Sequence, residues 1–198
     1  ARNICDFENL LKIIDIDVPP GYSNLPSFNT ALAEASLAAP TRIMDPTQTT
    51  NLFLSCSGPF EHFRNTINSG VKAYYQSFPS SYTHPFLNEK MNEWRIDGWA
   101  TRLKEMGEQE HHFHNHAWLS GVYYVQLPGQ IRGGKSDDGN IEFCRFRSYS
   151  NASSKTEVVT VRPQEGMMVL FPSYFYHRIL PFREDEYRIS IAFNFIPY

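Results

Sequence analysis

The sequence predicts a mainly β fold: an antiparallel sandwich or small barrel carried by the second half of the chain, with helices from the first half laid on its outside. Three observations point there. From about residue 94 onward, short apolar stretches alternate with clusters of Gly, Pro, Ser and Asp, the pattern of antiparallel strands joined by turns. Before that point, apolar residues recur at helical spacing. At 198 residues, 41% of them hydrophobic, the chain is long enough for one substantial core. We therefore expect one structural domain, in which residues 1–93 support a core formed by residues 94–198.

Taken in order, residues 12–18 alternate well enough for a strand, which Pro19, Pro20 and Gly21 would end. Residues 27–39 read as a helix opened by a Ser27 cap and closed before Pro40. A second helix starts at Ser57, Gly58 and Pro59, because Phe60, Phe63, Ile67, Val71, Tyr75 and Phe78 follow at steps of three and four. One face of it should be buried against a sheet. Strands are then expected at 99–103, 119–127, 141–146, 157–161, 167–171, 177–180 and 188–195. The stretch 133–139 reads as a mobile loop. It is not expected to be a phosphate-binding loop.

Charge and composition exclude several function classes. Charged residues make up 20% of the chain, the net charge is -3 and no basic run occurs, so nucleic acid is not an expected partner. No apolar run approaches the roughly 18 residues that span a bilayer, so a membrane is not expected either. Cys5, Cys56 and Cys144 are odd in number and widely spaced, which suits free thiols in a reducing, cytoplasmic setting. An oligomer remains open.

The histidines carry the chemistry. Four of the seven, His111, His112, His114 and His116, crowd just before the strand that begins at Leu119. Alternate residues of a strand project to one face, so His112 and His114 can point the same way with Cα atoms about 7 Å apart. His177 stands alone at the start of a later strand. A His-x-His pair with a distant third ligand is how double-stranded β-helix folds build a mononuclear metal centre. Neutral imidazoles suit Fe, Zn, Cu or Ni.

Arg188 begins the last long strand. Arg188, Ser190, Ala192 and Asn194 share one face of it, and Ile189, Ile191, Phe193 and Phe195 the other. If the Ile/Phe face packs on the helices, Arg188 and Ser190 line the barrel, where a guanidinium needs an anionic partner. A carboxylic acid would supply one, held bidentately by Arg188 with one more hydrogen bond from Ser190.

These residues carry a resemblance. His112-Phe113-His114, then Trp118-Leu119-Ser120-Gly121-Val122-Tyr123-Tyr124-Val125, Gly139 to Phe143, Gly166 to Ser173, His177 and Arg188 to Asn194 follow in order over roughly residues 94–196. The run resembles the family of Fe(II)/2-oxoglutarate oxygenases whose bacterial and phage members carry His-x-His-Pro followed by Leu-Ser-Gly-Val-Tyr-Tyr. Asn115 stands where that family usually has Pro. The resemblance implies a double-stranded β-helix (a jelly roll, cupin-like) with the N-terminal helices packed outside. It also implies Fe(II), with 2-oxoglutarate and O2 as co-substrates.

Carried over by position, His112 and His177 are expected as iron ligands, and Arg188 with Ser190 as the grip on 2-oxoglutarate. Tyr123 and Tyr124 are candidates to hydrogen-bond that co-substrate. Most 2-oxoglutarate oxygenases place Asp or Glu where this chain has His114. The third ligand is then either His114, giving a three-histidine centre, or a carboxylate from elsewhere such as Glu110 or Glu142. The expected activity is hydroxylation of a small-molecule or peptide substrate with release of succinate and CO2. A cupin-like three-histidine dioxygenase that does not use 2-oxoglutarate, and a non-catalytic metal-binding or interaction module, are the alternatives.

Overall fold

The strands are β1 (Lys12–Ile14), β2 (Trp94–Leu103), β3 (Gln109–His112), β4 (Leu119–Gln126), β5 (Ile141–Cys144), β6 (Val158–Val161), β7 (Met168–Pro172), β8 (Tyr176–Ile179) and β9 (Arg188–Pro197). The helices are α1 (Phe7–Leu10), α2 (Leu25–Ala38), α3 (Pro59–Gln76), α4 (Pro85–Asn88) and α5 (Gly129–Gly133). They come from a computed structural model that describes residues 4–54, 56–88, 93–134, 136–144 and 158–198. The expected strand ends at 145–146 and 157, and Lys135 of the expected loop, lie outside the described residues.

Among the described residues, one sheet has five strands in the order β1, β7, β4, β9, β2, and the other has four in the order β3, β8, β5, β6. Every pairing is antiparallel. Apart from the pair β5 and β6, strands adjacent in space are not consecutive in sequence, and the two sheets enclose a cavity, which makes the body a double-stranded β-helix. The N-terminal half adds β1 to the edge of the larger sheet and lays α2 and α3 across its outer face.

That outer face is apolar by alternation. Phe63 of α3 meets Tyr123 of β4 at 4.9 Å between ring centroids and Phe193 of β9 at 6.1 Å. Phe63, Ile67 and Val71 are fully buried, as the three- and four-residue spacing predicts, while Phe60, Tyr75 and Phe78 of that spacing are only partly buried and Tyr74 takes the fully buried place beside Tyr75. Gly70 allows the close approach, since a Cβ there would lie 2.8 Å from the sulfur of Met168.

Two local expectations shift. The cap of α2 is Asn24, whose side chain accepts from the Ser27 backbone at 2.8 Å, while the Ser27 hydroxyl accepts from the Asn24 backbone at 3.3 Å. Ser27 is thus the third helical residue of a capping box instead of the cap itself. Strand β1 stops at Ile14, short of the expected 12–18. Its partner β7 begins at Met168, opposite Ile14, so residues 15–18 have no neighbouring strand to pair with.

Candidate metal centre and carboxylate pocket

His112 and His177 are direct cross-strand partners, one ending β3 and the other on β8, with ring centroids 4.3 Å apart. His114 lies two residues past His112, beyond the strand, where its backbone N–H donates to the Ser173 carbonyl at 2.9 Å. Its ring sits 5.3 Å from each of the other two. One nitrogen from each imidazole lies within 4.8 Å of the others, a spacing that one ion can bridge.

Hydrogen bonds set which nitrogen each ring offers. The His112 Nδ1 faces the Glu110 carbonyl at 2.8 Å and the His177 Nδ1 faces the Phe175 carbonyl at 2.9 Å. A carbonyl only accepts, so both Nδ1 atoms carry the proton and both Nε2 atoms keep a free lone pair. Burial, reinforced by His112 and His116, pulls the pKa of His114 down to about 3. Burial, with His112 adding to it, holds that of His177 well below the usual histidine value. Both rings are therefore neutral at pH 7, as metal ligands must be.

Among the described residues this cluster contains no carboxylate. Glu142 points to the outer face of its sheet, accepting from Arg178 at 2.7 Å and lying 3.7 Å from His111. Glu110 has an exposed side chain, and only its carbonyl serves the site. His116 is exposed as well, its ring 6.4 Å from that of His114.

The histidines form part of the wall of a cavity of about 240 Å³ that also contains Arg188, Ser190 and Tyr124. On the inner face of β9, Arg188 and Ser190 stand near one end, Asn194 stands beside His114 further along, and Ala192 between them leaves room. The Arg188 side chain is wholly buried. Its Nε donates to the Gly139 carbonyl at 3.3 Å and its Nη1 to the Ser190 hydroxyl at 3.2 Å, while Nη2 has no partner. Gly139 has φ +67° and no space for a Cβ against Ile131, so glycine is required where that carbonyl is presented.

Tyr124 lies beneath the guanidinium, 5.2 Å from ring centroid to Cζ, and its hydroxyl is also unpartnered. Burial pushes this phenol up to about 12, opposed by the Arg188 charge and by an approach of the two groups that falls short of good hydrogen-bond geometry. No carboxylate lies against Arg188 among the described residues. A buried cation with one bare N–H edge beside a bare phenol is the complement of a carboxylate.

Tyr123 belongs elsewhere. Strand alternation turns it to the outer face, where its hydroxyl donates to Asn29 of α2 at 2.7 Å and its ring packs on Phe63. It does not line the cavity, and the expectation that it touches the co-substrate is corrected. Trp118 likewise stacks outward, on Phe86 at 3.9 Å and Tyr75 at 5.4 Å. Sequence reasoning missed Trp99, Arg42 and Gln48, which line the cavity from β2 and the 40–50 loop. Trp99 stacks on His114 at 5.8 Å, and the Arg42 guanidinium lies 4.7 Å over Trp99. Only the inward position of Trp99 in its strand carried any signal for them.

Three imidazoles around one point, next to a pocket suited to a carboxylate, form a candidate non-haem metal centre with room for an acidic co-substrate. Residues 97–194 match the family model described as "Putative 2OG-Fe(II) oxygenase". The chain belongs to this 2OG-Fe(II) oxygenase family, and so is an oxidoreductase that uses Fe(II) and 2-oxoglutarate. Among curated protein sequences, none matches it.

Similar solved structures include a prolyl-4-hydroxylase of Pseudomonas putida, at 14% identity and TM-score 0.61, with 98% of this chain and 97% of that one covered. The viral collagen prolyl hydroxylase of Paramecium Bursaria Chlorella virus-1, in complex with 2OG, matches at 9% identity and TM-score 0.60 over 99% of both chains. HygX from Streptomyces hygroscopicus, with nickel and 2-oxoglutarate bound, matches at 13% identity and TM-score 0.55 over 96% of this chain and 84% of that one. At these identities the likeness establishes the shared fold.

Proposed function

We propose that the protein is a dioxygenase that hydroxylates a small organic molecule or a peptide side chain, with Fe(II) held by His112, His114 and His177 and 2-oxoglutarate by Arg188 and Ser190. One observation carries this reading. The fully buried Arg188, its Nη2 unpartnered, lines the same cavity as the three-imidazole cluster. When bound, the iron and 2-oxoglutarate supply the oxidative chemistry: O2 is consumed, 2-oxoglutarate becomes succinate and CO2, and one oxygen atom enters a substrate C–H bond.

The chain's own residues position and shield that chemistry. Arg188 and Ser190 take the distal carboxylate, with the Tyr124 hydroxyl free to add a hydrogen bond. Val122, Phe171 and Ile179 form apolar wall and exclude water from between the sheets. Cys5, Cys56 and Cys144 form no disulfide, which supports a cytoplasmic setting. No described helix is long and apolar enough to cross a membrane.

Purified protein supplied with Fe(II), ascorbate and 2-oxoglutarate in air should form succinate, slowly without substrate, and Arg188→Ala should abolish it. Absence of 2-oxoglutarate binding to the wild-type protein refutes the proposal. The all-histidine donor set favours a second reading, a three-histidine dioxygenase that does not use 2-oxoglutarate. Metal binding without 2-oxoglutarate binding would select it.

A further inference from the structure

Two of the three imidazoles have their ligand tautomer dictated by a backbone carbonyl, and the third does not. The His114 Nδ1 meets the Asn194 side-chain amide at 2.9 Å, with Nδ2 placed toward the ring. The Oδ1 of that amide accepts from the Ser120 hydroxyl at 2.7 Å, and the Ser120 hydroxyl meets that of Ser173 at 2.7 Å. Asn194, Ser120 and Ser173 are all buried, at 0%, 2% and 1% exposure, so no solvent competes for these bonds. The row crosses three strands or their ends: β9, β4 and the residue just past β7.

An amide differs from a carbonyl in that it can face His114 in two ways. With Nδ2 toward the ring, Nδ1 must accept, the ring proton moves to Nε2, and no lone pair faces His112 and His177. With Oδ1 toward the ring, Nδ1 keeps the proton and Nε2 becomes a donor to a metal. The two ends of the amide are isosteric, so a half-turn exchanges these states without displacing a neighbour. The row closes both ways, because each serine hydroxyl can donate or accept. Ser120 donates to Oδ1 in the first state, and in the second it accepts from Nδ2 and donates to Ser173.

We infer that Asn194 is a positioning residue for the metal centre: after the half-turn that brings Oδ1 to the ring, it accepts from His114 Nδ1–H and donates to Ser120, which fixes the tautomer that makes His114 the third ligand. This rests on the three-histidine reading above. The row would then do for His114 what the Glu110 and Phe175 carbonyls do for the other two rings. It also gives a reason for the buried polar residues at 120, 173 and 194.

The test is Co(II) affinity, read from the visible absorption of the titrated protein with no 2-oxoglutarate and no turnover. Asn194→Leu, nearly the same size but without hydrogen bonds, should weaken Co(II) binding 10- to 100-fold, the loss typical when a histidine ligand's orienting partner is removed. Asn194→Asp keeps an acceptor for Nδ1–H and cannot present a donor, so it should hold affinity within a few-fold of wild type. Ser120→Ala, a smaller change in case Asn194→Leu does not fold, should give an intermediate loss. Wild-type Co(II) affinity in Asn194→Leu overturns the inference, as does equal loss in the Leu and Asp variants. Should Asn194→Leu fail to fold, undiminished affinity in Ser120→Ala overturns it. Failure of the wild-type protein to bind Co(II) would instead refute the three-histidine centre itself.

Discussion

Replacing Arg188 with Met should move stability and co-substrate binding in opposite directions. The guanidinium is wholly buried, makes two hydrogen bonds of 3.2–3.3 Å and leaves Nη2 bare, with no carboxylate beside it. Methionine keeps much of the apolar stem and removes a desolvated charge. Exchanging buried ionic groups for apolar ones of similar volume is often neutral or stabilising by about 1–4 kcal/mol. Against that stands the Gly139 carbonyl, left without its Arg188 donor at a cost of about 1–3 kcal/mol. The ligand-free variant should therefore melt at or slightly above the wild-type temperature.

Binding of 2-oxoglutarate should fall sharply. Removing one partner of a buried charge pair costs about 3–5 kcal/mol, or roughly a hundred- to several-thousand-fold in Kd. At a concentration of 100 Kd the dianion stabilises wild-type protein by about 2.7 kcal/mol. For a domain of this size that is a rise in Tm of about 5–11 °C, and the variant should show almost none of it. Thermal melts with and without 2-oxoglutarate under nitrogen, with Mn(II) in place of iron, measure both effects. A Met variant that keeps the wild-type shift refutes the assignment of this pocket to the co-substrate.

Other outcomes follow from the same geometry. His112→Ala and His177→Ala should each remove Co(II) binding, while His116→Ala, at an exposed position, should not; titration of all three decides. Acid should destabilise the metal-free protein through His114 and His177, whose folded pKa values lie below the unfolded value of about 6.5. Below that pH the unfolded chain binds protons that the folded one does not, so stability is fullest above it. It falls by up to about 1.4 kcal/mol per pH unit per histidine, for His114 until about pH 3. Urea unfolding at pH 7.5, 5.5 and 4.5 reads the slope, and a flat profile contradicts it. Tyr123→Phe leaves the Asn29 oxygen unpaired, so it should cost about 1–3 kcal/mol in urea midpoint and m value and leave 2-oxoglutarate affinity unchanged.

Much of this architecture was legible because period and spacing are local. The stripe Phe63, Ile67, Val71 announced α3, and alternation along 188–195 announced which side of β9 would hold Arg188. What stayed hidden was relational. That His112 faces His177 depends on the register of two strands separated by more than sixty residues, and no residue in either strand states it. Tyr123 and Tyr124 look equivalent in sequence, and only the presence of α2 on one side tells them apart. Asn194 was visible as a member of the inner face, but its role depends on a ring eighty positions earlier. Residues 15–18 alternate as a strand should, yet alternation cannot supply the missing neighbour.

The all-imidazole donor set has a consequence for charge. A ligand triad with a carboxylate cancels part of a divalent ion's charge before any co-substrate arrives, whereas His112, His114 and His177 cancel none. Arg188 adds a further buried positive charge in the same 240 Å³ cavity. Cation and dicarboxylate are then each other's principal counter-charge, and each should make the other's entry more favourable. Such coupling is reciprocal by thermodynamic necessity. The factor by which 2-oxoglutarate tightens Co(II) must equal the factor by which Co(II) tightens 2-oxoglutarate, and His114→Asp, by restoring a negative ligand, must shrink both together.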